Sequence, residues 1–172
     1  QVEHPVTEEV TDMDLVYEQL RIARGEELGY EQYDISWSGH SIEARLYAED
    51  PDNDFLPETG KLIAFEEDYE AEARWDSGVE SGSIVGTSFD PMLAKVISYG
   101  ATRTDAAIKL ARALEAAHIG GLTTNRDFLV ATLKTQEFLD GDTTTDFIDR
   151  VKPPRALLLS DEQIKHVTAI AA

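Results

Sequence analysis

Between Ile35 and Ala48 the chain adopts a two-residue period: Ile42, Ala44, Leu46 and Ala48 fall on one side, Glu43, Arg45, Tyr47 and Glu49 on the other. Successive strand side chains point to opposite faces, so this spacing predicts one long strand over residues 35–48, with an apolar back and a charged front. The chain then stays in β structure. KLIAFEE, EARWDSG, GSIVGTSFD and PMLAKVISYG, within residues 61–100, are short runs separated by acidic or glycine-containing turns, which suits an antiparallel meander or small barrel. No helix separates one run from the next, as parallel pairing would require. The predicted class is α+β: a β-rich antiparallel small barrel or sandwich with flanking helices.

Helices are expected on either side of these strands. QVEHPVTEE reads as extended, and Thr11 and Asp12 then offer cap oxygens to a helix over residues 13–24, where Leu15, Val16, Leu20 and Ile22 recur at helical spacing before Gly25. AEDPDNDFLPETG, residues 48–60, concentrates turn formers and reads as a loop. Thr104–Ala117 before Gly120-Gly121, and residues 125–138 before Gly141, are expected to be helical, and TTTDFIDRV a short capped helix. The Pro153-Pro154 pair places a boundary after Val151. Beyond it, Ser160 and Asp161 would cap a last helix carrying Ile164, Val167 and Ile170 on one side.

Charge narrows the function. With 15 Lys and Arg against 34 Asp and Glu, the formal net charge is -19, so nucleic acid and anionic membrane surfaces are not expected partners. There is no Cys, which excludes disulfides and thiolate metal sites. His4, His40, His118 and His166 lack metal-ligand spacing and no metal site is expected. A cytoplasmic protein is expected. The chain opens at Gln1 without Met and reads as cut from a longer polypeptide.

Two constellations could carry chemistry. In Gln1-Val2-Glu3-His4-Pro5, alternation would point Gln1 and Glu3 to one side, where an amide donor and a carboxylate acceptor can hold a small oxyanion such as bicarbonate. By residue type alone, solvated polar residues are the stronger reading. On the charged face of the long strand, Arg45 lies between Glu43 and Tyr47. Its guanidinium could stabilise a developing oxyanion, or form a surface ion pair worth only ~0–1 kcal/mol.

Whole strings decide between these readings. QVEHPVTE, DLVYEQLRIARG, GHSIEARLYAEDP, FLPETGKL, RWDSGV, FDPMLAKVISYG and Thr124-Asn125 occur in this order, and over residues 1 to about 150 the chain resembles the biotin carboxylase family. The resemblance implies that Glu3 is the base that removes the bicarbonate proton. It makes Gln1 and the Val2 backbone bicarbonate ligands, and makes Arg45 the group that binds biotin and stabilises its enolate. It divides the chain into residues 1–27, the last strand and helix of an ATP-grasp lobe; 28–150, the C-terminal domain; and 151–172, a linker and the start of a following segment.

The same resemblance implies biotin on a carrier domain, with ATP and magnesium held by an ATP-grasp lobe expected before Gln1; neither is expected to bind this segment alone. The implied partners are that lobe, the carrier domain, a carboxyltransferase subunit and a second copy in a homodimer. The implied enzyme is an acyl-CoA carboxylase α subunit, of the acetyl-CoA or propionyl-CoA type, or a related biotin-dependent carboxylase, with the final acceptor left open among an acyl-CoA, pyruvate and urea. The competing reading is a non-catalytic packing or dimerisation module. Arg74 and Trp75 resemble a dimer-contact region of the family, though a barrel surface would place them equally well. Asp12 stands where the family usually has Gly, and is expected to improve an N-cap.

Overall fold

A computed structural model describes residues 2–156, together with 160 and 165. It opens with helix α1, His4–Thr11, where an extended segment was expected. Pro5 caused the misreading. Proline disfavours the helical region for the residue before it, yet within the first turn its missing N–H costs nothing. Glu3 is accordingly the extended N-cap, and its carbonyl accepts from Val6 N and Thr7 N. Helix α2, Leu15–Ala23, follows, so among the described residues the first 27 contain no strand.

Asp12 does not cap α2. It ends α1 in the left-handed region at φ 56°, its N–H donating to Glu8 O at 2.8 Å, while Asp14 caps α2 by accepting from Tyr17 N at 2.8 Å. Glycine, the family's usual residue here, takes that conformation without a Cβ penalty, and Asp is among the few residues that tolerate it.

The long strand is shorter than its period suggests. A 3-10 turn spans Gln32–Asp34, Gly39 turns the chain at φ 64°, and β1 runs only over His40–Tyr47. There follow β2 (Glu49–Asp50), β3 (Leu56–Pro57), β4 (Gly60–Lys61), β5 (Ala64–Glu66), β6 (Arg74–Ser77), β7 (Ile84–Val85) and β8 (Met92–Gly100). Helix α3 (Arg103–Ala116), strand β9 (His118–Gly120) and helices α4 (Arg126–Leu133), α5 (Gln136–Asp140) and α6 (Phe147–Val151) complete the order. The helix expected over 125–138 is two, because Thr135 leaves helical geometry at ψ 145° and its Oγ1 accepts from Phe138 N to start α5.

All strand pairing is antiparallel. One sheet has the order β1-β8-β6, and β2-β3, β4-β7 and β5-β9 form separate ribbons. No closed barrel forms among the described residues. Strands of two or three residues cannot supply the continuous stagger that closure demands.

The even face of β1 is buried. Ile42 and Ala44, with Val96 of β8, pack against Ala106, Ala107, Leu110, Ala111 and Leu114 of α3 and against Val130 and Leu133 of α4. Leu46 and Ala48 join Leu62, Phe65, Val85, Leu93 and Ala94 in a second cluster, and Trp75 packs against both. Trp75 is therefore partly buried and meets Phe65 edge-on, which no barrel-surface position would give. Alanines on α3 permit close approach to the sheet, and at the same crossing the buried Ser98 hydroxyl donates to Ala106 O at 2.7 Å.

After α6 the chain stays against the domain. Pro153 is buried, and Arg155 donates to Pro51 O and covers the Phe55 ring. Most of the helix expected from Ser160 onward lies outside the described residues.

Two glycine exchanges test these backbone assignments. Asp12→Gly should raise stability by ~0.5–1 kcal/mol by removing a left-handed Cβ. Gly121, at φ +106°, has no room for a Cβ beside Lys61 O and Ile63 N, so Gly121→Ala should cost ~3 kcal/mol or more. Urea midpoints at unchanged slope measure both; a loss for Asp12→Gly or a gain for Gly121→Ala would contradict the local geometry.

Candidate active site

The odd residues of β1 project from the face opposite α3, and α1 packs against that face. This arrangement brings the two sequence motifs together. Arg45 Nη2 donates to Glu3 Oε1 at 2.8 Å and to Oε2 at 2.7 Å. Arg45 Nε donates to Glu43 Oε1 at 3.3 Å, and Lys95 Nζ lies 3.9 Å from that same oxygen. Lys95 stands opposite Arg45 in the β1–β8 register and opposite Asp76 across β6.

Asn125, just before α4, braces this stretch of β1. Its Oδ1 accepts from Tyr47 N at 2.9 Å, its Nδ2 donates to Arg45 O at 3.2 Å, and its own N–H donates to Tyr47 O at 3.1 Å. Glu43, Lys95 and Asn125 were not singled out from sequence as site residues. The family strings that contain them are the signal that could have found them.

A second arginine fixes the other end of α1. Arg74 Nη1 donates to Glu8 Oε2 at 2.7 Å, while its Nε and Nη2 both reach Asp76 at 2.9 Å. Burial would raise the Glu8 pKa, but hydrogen bonds from Arg74, His4 and the Leu15 N–H together hold it below the usual range. In this single chain Arg74 is thus committed to joining α1 to the sheet.

Charge at the site is set by these contacts. The hydrogen bond from Arg45 holds the Glu3 carboxyl below its ordinary value of 4.5, against a smaller opposing effect of burial. Glu3 in turn, followed by Glu43, keeps Arg45 more firmly protonated. The Tyr47 phenol is pushed up by burial first and by Asp90 second. Val2 is exposed beside Glu3, and Gln1 lies outside the described residues. Because Glu3 is a helix N-cap, the strand alternation expected to align it with Gln1 does not continue through it.

An open cleft of about 410 Å³, lined by His4, Ser77, Gly78, Met92 and Lys95 among others, adjoins the charged group. Another of about 520 Å³ between the first two helices has acidic walls, with Arg74 as its cation. Among the described residues, no three His, Asp or Glu converge on a metal position, and no helix is long and apolar enough to cross a membrane.

The ion pair between strand and helix lies beside an open cleft, and both fall within segments that match known proteins. Residues 43–150 match the biotin carboxylase C-terminal domain, and residues 1–31 match the carbamoyl-phosphate synthase L chain ATP binding domain. The chain belongs to the biotin carboxylase family.

Biotin carboxylase 2 of Bacillus subtilis (strain 168) is 47% identical over 148 residues, which are 86% of this chain and 33% of the relative. The mitochondrial propionyl-CoA carboxylase alpha chain of Homo sapiens is 39% identical over 176 residues, covering 100% of this chain and 24% of its own length. The biotin carboxylase domain dimer of Hydrogenobacter thermophilus 2-oxoglutarate carboxylase, solved with MgADP, ADP and bicarbonate, superposes with a TM-score of 0.85 at 36% identity. That match spans 88% of this chain and 34% of the other. The chain therefore spans about a third or less of the relatives it matches.

The Glu3–Arg45 contact has a titration signature. A carboxyl depressed in the folded state contributes stability above its unfolded pKa, and that contribution is lost as pH falls through the lower folded value. In Arg45→Gln, Glu3 should titrate upward toward its ordinary value of 4.5. The urea midpoints of variant and parent should converge once the pH has fallen below the depressed folded value. Carboxyl-carbon NMR titration measures the shift; identical Glu3 curves in both proteins would refute the pairing in solution.

Proposed function

We propose that this chain supplies the bicarbonate-proton acceptor and the biotin-binding cation of a biotin carboxylase, which carboxylates biotin on a carrier domain using ATP and bicarbonate. The reading rests on the bidentate contact between Glu3 and Arg45, which unites two sequence-distant motifs at a half-exposed position beside a cleft.

In this reading Gln1 and the Val2 backbone hold bicarbonate, and Glu3 takes its proton. A carboxylate held below its ordinary pKa by Arg45 is a poor base. Bicarbonate entering beside Arg45 becomes an alternative partner for the guanidinium, so Glu3 gains basicity as it loses its cation. The deprotonated bicarbonate oxygen attacks the γ-phosphate of ATP, ADP leaves, and the mixed anhydride releases CO₂ and phosphate. The ureido nitrogen of biotin then attacks CO₂, its proton passing to the phosphate released in the preceding step. That nitrogen is barely acidic, and Arg45 lowers the cost of its deprotonation by stabilising charge on the ureido oxygen. A Lys could supply charge there but not a planar fork.

ATP and magnesium belong, in this proposal, to an ATP-grasp lobe packed on the segment formed by residues 1–27. Val16, Tyr17, Leu20 and Ile22 on α2 are exposed apolar residues that such a lobe would cover. For the final acceptor we favour an acyl-CoA, with the chain part of an α subunit working with a carboxyltransferase in fatty acid metabolism. The alignment with the human propionyl-CoA carboxylase alpha chain through residues beyond Val151 supports that choice. A homodimer and a cytoplasmic location complete the proposal.

The test is phosphate release and biotin carboxylation by the full-length carboxylase. Glu3→Gln should lower bicarbonate-dependent ATP cleavage ~10²-fold or more, since an amide cannot take the proton. Arg45→Ser should lower biotin carboxylation ~10²–10³-fold while the KM for ATP stays within ~2-fold. The 172-residue chain alone should do neither reaction. Parent-like carboxylation by Arg45→Ser, or bicarbonate-dependent turnover by the isolated chain, would reject the proposal.

A further inference from the structure

Glu43 is the one member of the charged group withdrawn from solvent. Its side chain is 3% exposed, against 41% for Arg45 and 39% for Glu3. A carboxylate in that position is costly unless paired. Its Oε1 accepts from Arg45 Nε and lies near Lys95 Nζ, while among the described residues the buried Oε2 has no hydrogen-bond partner. An exposed ion pair would need none of this burial.

The division of the guanidinium is informative. Its Nε edge is bound inward to Glu43 and its Nη2 outward to Glu3. A guanidinium is planar and rigid, so a bond that fixes Nε also fixes the direction of both terminal nitrogens. Glu3 cannot perform this task throughout a reaction in which it exchanges Arg45 for a proton.

We propose that Glu43 is a positioning residue for the carboxylation reaction: its buried carboxylate pins the Nε edge of Arg45, keeping the terminal nitrogens aimed at the reacting oxygen after Glu3 is displaced. The proposal rests on the reading of Arg45 given above. Lys95, opposite Arg45 on β8, supplies the second positive charge. Its Nζ lies 3.9 Å from the Glu43 oxygen that Arg45 Nε also contacts, so Arg45 is not the sole cation beside Glu43. Glu43 touches neither bicarbonate nor biotin in this arrangement and acts through Arg45.

The experiment is a double-mutant cycle in the full-length carboxylase. Glu43→Ala should lower kcat for biotin carboxylation ~10- to 100-fold, as a displaced catalytic group does. The KM for ATP should stay within ~2-fold. In an Arg45→Ser background the same exchange should add less than ~2-fold, because its effect passes through the missing side chain.

Glu43→Gln keeps an acceptor at the same reach and should stay within ~5-fold of the parent. Glu43→Asp keeps the charge but loses the reach, and should fall ~10-fold. The Gln and Asp pair carries the test if Glu43→Ala does not fold. The positioning role is overturned if Asp outperforms Gln, if Glu43→Ala retains parent kcat, or if its loss multiplies with that of Arg45→Ser. In those outcomes a strong defect in Arg45→Ser leaves the site reading standing. Parent-like activity in Arg45→Ser removes both.

Discussion

The structure depends on the burial of one face of β1 and β8 under α3. Ile42, Ala44 and Val96 must leave water, and the alanine-lined face of α3 gives them a close surface to pack on. Because a strand alternates, that burial compels Glu43, Arg45 and Tyr47 to emerge on the opposite side. The charged face is thus a geometric consequence of the core. What covers it is α1, the helix started by Glu3. A register slip of one residue would bury Arg45 in the hydrophobic layer and expose Ile42, so the hydrophobic pattern protects the site it does not contain.

Cations are scarce in a chain with a net charge of -19, and the structure shares them. Arg45 serves Glu3 and Glu43; Arg74 serves Glu8 and Asp76; Lys95 lies opposite Arg45 and Asp76 in the sheet. The two arginines hold opposite ends of α1 to the same sheet. Exposed ion pairs contribute little stability singly, so their value here is positional. The helix that carries the carboxylate and the strand that carries the guanidinium are set against each other by contacts of the same kind as the proposed chemistry uses.

In the proposed reaction, substrate binding has to loosen one of these contacts. Glu3 cannot be both the locked partner of Arg45 and an effective base, and the free chain holds it in the locked form. The remaining supports are independent of Glu3. Asn125 grips the Arg45 and Tyr47 backbone, and Glu43 grips the guanidinium from within. The cation can therefore keep its place while the carboxylate changes partner.

The sequence by itself determined the antiparallel, β-rich α+β character, the apolar and charged faces of β1, the helix expected over Thr104–Ala117 and the family strings, because each is a local pattern of period or motif. It misjudged what depends on non-local balance. Pro5 read as extended and proved helical, Asp12 read as an N-cap and proved a left-handed helix end, and the short ribbons did not close into a barrel. Only the tertiary structure decided that Glu43 is buried behind Arg45, and that Lys95 and Asn125 belong to the same group. Those residues are brought together by packing α1 and α4 around β1, and no periodicity along a chain encodes which distant side chains will share one face.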